Sequence, residues 1–246
     1  MPTLEICAGS FSSAKAAQAG GAQRVELCSG LDEGGLTPSP GLIRAVRKID
    51  NLKMHVLIRP RGGDFLYSDE EKQIIIDDIH FCVDEGVDGV VVGALLADGS
   101  IDLPFLESCM EAARGVAVTF HRAFDLCSNP FEALDAIAQR GCSRILTSGL
   151  ASSAEQGKDM LAALVKHAEE RLTIMPGCGV NPQNAAKILR LSGAKEIHAS
   201  ARKSRPSRMQ FRHEGVEMGK AGVDEYAIME TSAEVVQAIV QEISQV

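Results

Sequence analysis

The chain has 246 residues and a mass of 26.2 kDa, with 25 Lys plus Arg against 33 Asp plus Glu and hence a net charge of −8. That length suits one large α/β domain or two small ones, and an acidic surface repels phosphate backbones and disfavours general nucleic-acid binding. Aromatics are 4% of the residues with no Trp, too few for single-strand stacking platforms.

Taken in chain order, short apolar runs alternate with longer amphipathic stretches. Strands are expected at Leu4–Cys7, Arg24–Cys28, Met54–Arg59, Gly89–Gly93, Ala117–His121, Arg144–Ser148, Thr173–Pro176 and Glu196–Ser200. Ser39-Pro40, Asn129-Pro130 and Asn181-Pro182 each read as an N-cap before a first-turn proline. Ser68 with Glu71 reads as a capping box, and the last helix is expected over about Ser232 to Ile243.

Eight such units in 246 residues give roughly 31 residues each, the spacing of a TIM (β/α)8 barrel. A doubly wound open sheet is the alternative, but no G-x-G-x-x-G follows the first strand. A weak repeat favours the barrel. Gly21–Cys28, Gly86–Gly93, Gly141–Ser148 and Gly193–Ser200 each join a helix-ending glycine to a strand, at steps of 65, 55 and 52 residues. With no linker-like or low-complexity segment, residues 1–246 read as one barrel domain.

Other classes are disfavoured. The most apolar stretch, 89–97, is nine residues long, whereas a spanning helix needs about 20. The N-terminus carries Glu5 and no basic residue before Lys15, unlike a secretory signal. Seven cysteines without a C-x-x-C pair suit free thiols in a reducing compartment.

Alternation along the strands assigns the lumen. With Val25, Val90, Ile145 and Ile197 facing outward, Glu26, Val91, Leu146 and His198 face inward, and Cys28, Gly93, Ser148 and Ser200 reach the C-terminal mouth. On the odd strands Cys7, Arg59, His121 and Gly177 reach the mouth above Glu5, Leu57, Thr119 and Met175. Ionisable groups converging where such barrels carry function suggest a site, the alternative being a self-satisfied polar plug.

The motifs divide the same way. Glu5-Ile6-Cys7 and Glu26-Leu27-Cys28 end neighbouring strands and bring two soft sulfurs to one rim, a pair suited to Cu(I) or else two buried small hydrophobes. No finger-like third and fourth ligands for zinc appear. Arg59, Arg61 and Asp64 lie in a Gly-rich loop that suits either anion recognition or a rigid turn. His121-Arg122 with Asp125 after the fifth strand gives a general acid/base, with Glu5 or Glu26 as its partner, or a structural histidine. Ser148, Gly177 and Gly179 sit in turns resembling the phosphate corner of many barrels, and His198 adds a polar contact. The basic run Arg202 to Arg212 reads as a lid over an anion, an oligomer contact or a solvated face. Cys82, Cys109, Cys127 and Cys142 read as packing residues and Cys178 as an exposed thiol.

Arg24–Gly30, Glu33–Pro38, Ile58–Asp69, Val118–Asp125 and Arg144–Gly149 together resemble the CutC copper-homeostasis family from the first strand to at least Met218. The sequences Gly-Gly-Asp-Phe-Leu-Tyr-Ser-Asp69 and Met-Pro-Gly-Cys-Gly179 look closer to its animal-type members, with Cys178 where other members carry Gly or Ala. The resemblance implies a TIM barrel, homo-oligomers (dimer or tetramer) and a cytoplasmic location, extended to the nucleus in eukaryotes. It also implies a role in copper tolerance and trafficking, with Cu(I) held by Cys7 and Cys28 and no organic cofactor. The rival expectation is an enzyme acting on a small phosphorylated or carboxylated anion through the Arg, His and Glu residues of the mouth.

Overall fold

Val25, Val90, Ile145 and Ile197 are completely buried, each on the outer face of a ring of parallel strands and under the helices that surround it. The computed structural model describes residues 1–213, 215, 216, 218 and 224–246. Its strands are β1 (Thr3–Ala8), β2 (Arg24–Leu27), β3 (Lys53–Leu57), β4 (Gly89–Val92), β5 (Ala117–Phe120), β6 (Arg144–Thr147), β7 (Thr173–Pro176) and β8 (Glu196–Ala199). Around them lie α1 (Phe11–Ala19), α2 (Pro40–Val46), α3 (Asp69–Asp84), α4 (Leu103–Ala112), α5 (Pro130–Gln139), α6 (Lys158–Ala168), α7 (Ala185–Ser192) and α8 (Ala233–Ile243).

The parallel ladder runs β7-β6-β5-β4-β3-β2-β1-β8, and β7 packs beside β8 to bring the ring nearly closed. This is the TIM barrel expected from the unit spacing. Most strands end one or two residues before their predicted limits. The ladder bonds persist beyond them, with Cys28 N–H on Ala8 O at 3.0 Å and His121 N–H on Val92 O at 2.8 Å. Gly21, Gly86, Gly141 and Gly193 all take left-handed φ, between 70° and 95°, which explains a glycine before each even strand.

Ser39 and Asn129 cap α2 and α5, Ser68 with Glu71 forms the capping box of α3, and Ser232 caps α8. Asn181-Pro182 differs from expectation: α7 starts at Ala185 behind Asn184, whose Oδ1 accepts from Asn181 N–H at 2.9 Å. The intervening residues form a turn rather than a helical end.

The basic run is also ordered differently from a lid. Its first residues form β9 (Arg202–Pro206), paired antiparallel with β10 (Ala227–Thr231). Arg205 pairs with Glu230 at 2.6 Å and Lys203 with Glu234 at 3.4 Å. The ribbon seats on α1, where Ser12 Oγ donates to Glu230 at 2.7 Å and Thr231 N–H to Ser13 Oγ at 3.2 Å. Among the described residues none of 202–212 lines the mouth cavity. Glu214, the first acid after the run, lies outside the described residues.

Candidate functional site: the barrel mouth

The lumen is charged from its floor upward. Arg24, two residues before Glu26 on β2, turns inward and pairs with both Glu5 and Glu196, and its Nη2 also contacts Met175 Sδ at 3.3 Å. Arg144 reaches Glu196 at 3.2 Å and Thr119 Oγ1 at 3.1 Å. His55 lies 4.0 Å from Glu5, and among the described residues its Nδ1 has no hydrogen-bond partner. None of Arg24, His55, Arg144 and Glu196 is among the residues that the sequence reading assigned to the lumen. The signal was available, because each sits two positions before an inward residue on its strand.

Above this floor Glu5 Oε1 bonds His198 Nδ1 at 2.8 Å, and His198 Nε2 lies 3.9 Å from Glu26. Cys7 Sγ, one Glu26 oxygen and one His198 ring nitrogen all lie within 4.8 Å of one another. Cys28 stands directly behind, with its Sγ 3.2 Å from that of Cys7. Leu57 and Val91 pack against both thiols.

Burial opposes every charge here, and neighbours decide which survive. Glu5 is completely buried, yet His198 and Arg24 hold its carboxyl well below the usual range. Burial would lower His198, but Glu26, Cys7 and Glu5 together raise it well above an ordinary imidazole. Burial raises Glu26 in spite of the facing His198. The bond to Cys28 and burial push the Cys7 thiol well up. The site therefore rests with a protonated Cys7 thiol beside an imidazolium–carboxylate pair.

Cys7, Glu26 and His198 form one wall of a cavity of about 420 Å3. Arg59, His121, Arg122, Phe65 and Gly179 line other parts of it. The fold thus gathers seven of the predicted site residues: Cys7, Glu26, Arg59, His121, Arg122, Gly179 and His198. Others are placed elsewhere. Glu5 lies in the lumen and Cys28 behind Cys7, neither lining the cavity.

Arg61 and Asp64 do not line the cavity either. The Arg61 guanidinium is taken up by Glu71 at 2.5 Å, Asp64 at 3.1 Å and the carbonyl of Leu66 at 2.9 Å, which locks the loop leading into α3. Ser148 is fully buried and donates to Asp125 at 2.9 Å. Asp125 also accepts from Thr147 Oγ1 at 2.5 Å and Leu150 N–H at 3.2 Å, and pairs with Arg122 at 2.7 Å. It is a clamp between the loops after β5 and β6. Gly177 is where β7 meets β8, since an added Cβ would stand 2.5 Å from Leu146 Cδ1 and 3.3 Å from His198 Cβ. Gly177 and Gly179, the glycines of the expected phosphate corner, lie in the turn between β7 and α7. The start of α7 carries the Glu155 carboxylate, 3.4 Å from Asn184 Nδ2.

Arg59 spends its terminal nitrogens on backbone carbonyls: Glu33 at 2.7 Å, Gly35 at 3.0 Å and Gly63 at 2.8 Å. His121 Nδ1 accepts from Ala123 N–H at 3.1 Å, which places the ring proton on Nε2, and that buried nitrogen has no partner among the described residues. A donor left so costs about 1–3 kcal/mol. Burial, with the Arg59 charge, lowers His121 to about 3. Its ring bonds neither Glu5 nor Glu26, so the expected acid/base pair is not assembled.

A second cavity of about 340 Å3 opens at the opposite end of the ring, near Thr173 and Lys195. It holds none of the ligating cluster found among the described residues.

Fold and site together define a TIM barrel whose mouth joins two thiols, an imidazole and a carboxylate. The model of the CutC family matches residues 2–203, and the chain belongs to that family. A CutC family protein from Chromobacterium violaceum is 52% identical over 236 residues, covering 96% of each chain. One from Bacteroides thetaiotaomicron is 48% identical over 242 residues, covering 98% of this chain and 97% of its own. The solved structure of a protein from Streptococcus agalactiae, described as a copper homeostasis protein CutC, superposes with a TM-score of 0.78. It is 33% identical and covers 80% of this chain and 98% of that one. Thiamine phosphate pyrophosphorylase from Pyrococcus furiosus, at 12% identity and a TM-score of 0.60, covers 99% of this chain and 96% of its own and shares the fold alone. No helix among the described residues is long and apolar enough to cross a membrane.

Proposed function

We propose that this copper-homeostasis family member binds Cu(I) at the barrel mouth, with Cys7 and Cys28 as soft ligands and His198 Nε2 as a further donor. The observation that carries the reading is the 3.2 Å separation of two buried sulfurs beside an imidazole whose other nitrogen is fixed by Glu5. Thiolates select Cu(I), and a carboxylate on the far imidazole nitrogen orients such a ligand. Glu26, facing Cys7, opposes thiolate formation, so metal uptake has to displace the thiol proton.

The copper ion is cargo in this reading, taken up and released in copper tolerance or trafficking. The compartment is the cytoplasm, where the seven free cysteines stay reduced. A homo-oligomer, dimer or tetramer, rests on the family resemblance and is read directly by light scattering.

Cu(I) competition against a chromophoric chelator tests the site. Wild type should bind stoichiometrically, and Cys7→Ser/Cys28→Ser should lose that binding. Unchanged affinity and stoichiometry in the double variant would overturn the assignment. Acid/base catalysis on a small anion has less support, because His121 stays neutral to about 3 and meets no carboxylate.

A further inference from the structure

Another part of the cavity lining carries features that a copper site does not use. Arg59 is 6% exposed, and among the described residues no carboxylate pairs with it. Carbonyls satisfy its terminal donors without neutralising its charge. His121, 5% exposed, holds an unpartnered Nε2–H and stays neutral. Phe65 links the two, with its ring centroid 5.0 Å from the Arg59 Cζ and 5.0 Å from the imidazole centroid. Gly93 makes room for that imidazole, since a Cβ there would stand 2.5 Å from its Cε1 and Nδ1.

We infer that this wall is a binding site for a small organic monocarboxylate, with Arg59 as counter-charge, His121 Nε2–H as hydrogen-bond donor, and Leu57, Phe65 and Leu146 against the apolar body of the ligand. A buried cation without a counter-charge favours an anion, and an unpaired buried donor favours an acceptor. A cavity of about 420 Å3 falls in the range of small-molecule sites, well above the needs of a single ion. Two free donors, His121 Nε2–H and Arg59 Nε–H, with one uncompensated charge match the two oxygens of a carboxylate better than a phosphate dianion, which calls for more donors.

The remaining charges on the cavity fit this class. Asp125 is consumed by its own loops and by Arg122. Glu26 faces the His198 imidazole at 3.9 Å, on the Cys7 side of the cavity. Glu33 is exposed, and its carboxylate lies over Gly62, where an added Cβ would meet its Oε2 at 2.7 Å. The inference is independent of the metal reading, because no thiol takes part.

The test uses the full chain, metal-free under a chelator, with 4-fluorobenzoate followed by 19F NMR. The neutral probe 4-fluorobenzyl alcohol and inorganic phosphate serve as competitors. The acid should bind saturably, at least about tenfold more tightly than the alcohol, and His121→Phe should weaken it by at least about tenfold. In unaltered protein, 15N spectra of the histidine rings should show the His121 Nε2 signal moving with occupancy, a readout that does not depend on how a variant folds. Equal affinity for acid and alcohol, a still His121 signal, or phosphate displacing the acid more strongly than the acid binds would each overturn the inference.

Discussion

Glu5 holds His198 by its Nδ1 at 2.8 Å, and that bond leaves Nε2 directed to the side where Cys7 and Glu26 stand. The carboxylate therefore acts on the proposed metal site without touching a metal. Glu5→Gln should lower Cu(I) affinity by about 10–100-fold while leaving the number of thiols unchanged. Chelator competition with a parallel thiol titration reads both, and an affinity equal to wild type would show that Glu5 does not orient the ligand.

Arg24 is the counter-charge for the barrel floor, shared between Glu5 and Glu196 with only 5% of its side chain exposed. Removing one member of a buried ion pair leaves the other charge unpaired, at about 3–5 kcal/mol. Arg24→Ala should lower stability by that order in urea unfolding. Adding Glu5→Gln should recover part of the loss, because one stranded charge is then gone. Strict additivity of the two changes would rule out the coupling.

His121 should tie stability to pH in a defined window. Burial and the Arg59 charge keep it neutral down to about 3, whereas an unfolded chain protonates histidine near 6.5. The unfolded state thus binds more protons between these values, and stability from this residue is lost as pH falls from about 6.5 toward 3. Wild type should lose stability relative to His121→Phe over that range, by at most about 1.4 kcal/mol per pH unit. Parallel urea midpoints at neutral and acidic pH measure the difference. His198 runs the other way: its raised value gives stability that is full below about 6.5 and is lost as pH climbs through the folded value.

Cys178 is the one cysteine of the seven that is not buried. It takes a left-handed φ of 81° in the turn after β7, on the cavity lining. Iodoacetamide should modify one thiol per folded chain rapidly, and Cys178→Ser should abolish that phase without changing Cu(I) stoichiometry. Rapid loss of several thiols together would contradict the burial of Cys7, Cys28 and the packing cysteines. Burial holds Cys82, Cys109 and Cys142 near 12 and Cys127 near 11, which leaves those four thiols slow to react.

The amino-acid sequence by itself determined the ring and its inner surface. Glycines before the even strands mark where left-handed turns end helices, and a period of two fixes which residues face inward, so Cys7, Glu26, Arg59, His121 and His198 could be assigned to the lumen or its mouth from position alone. Partner choice was not legible in that pattern. Arg59 and Arg61 are two residues apart in one loop, yet one lies in the cavity wall with no acid paired to it among the described residues and the other is held by Glu71 and Asp64. Asp125 reads as a neighbour of His121, yet it ties the loops after β5 and β6 together. Such differences arise because a hydrogen bond depends on distances of a few tenths of an ångström between strands far apart in the chain, which only the closed barrel sets.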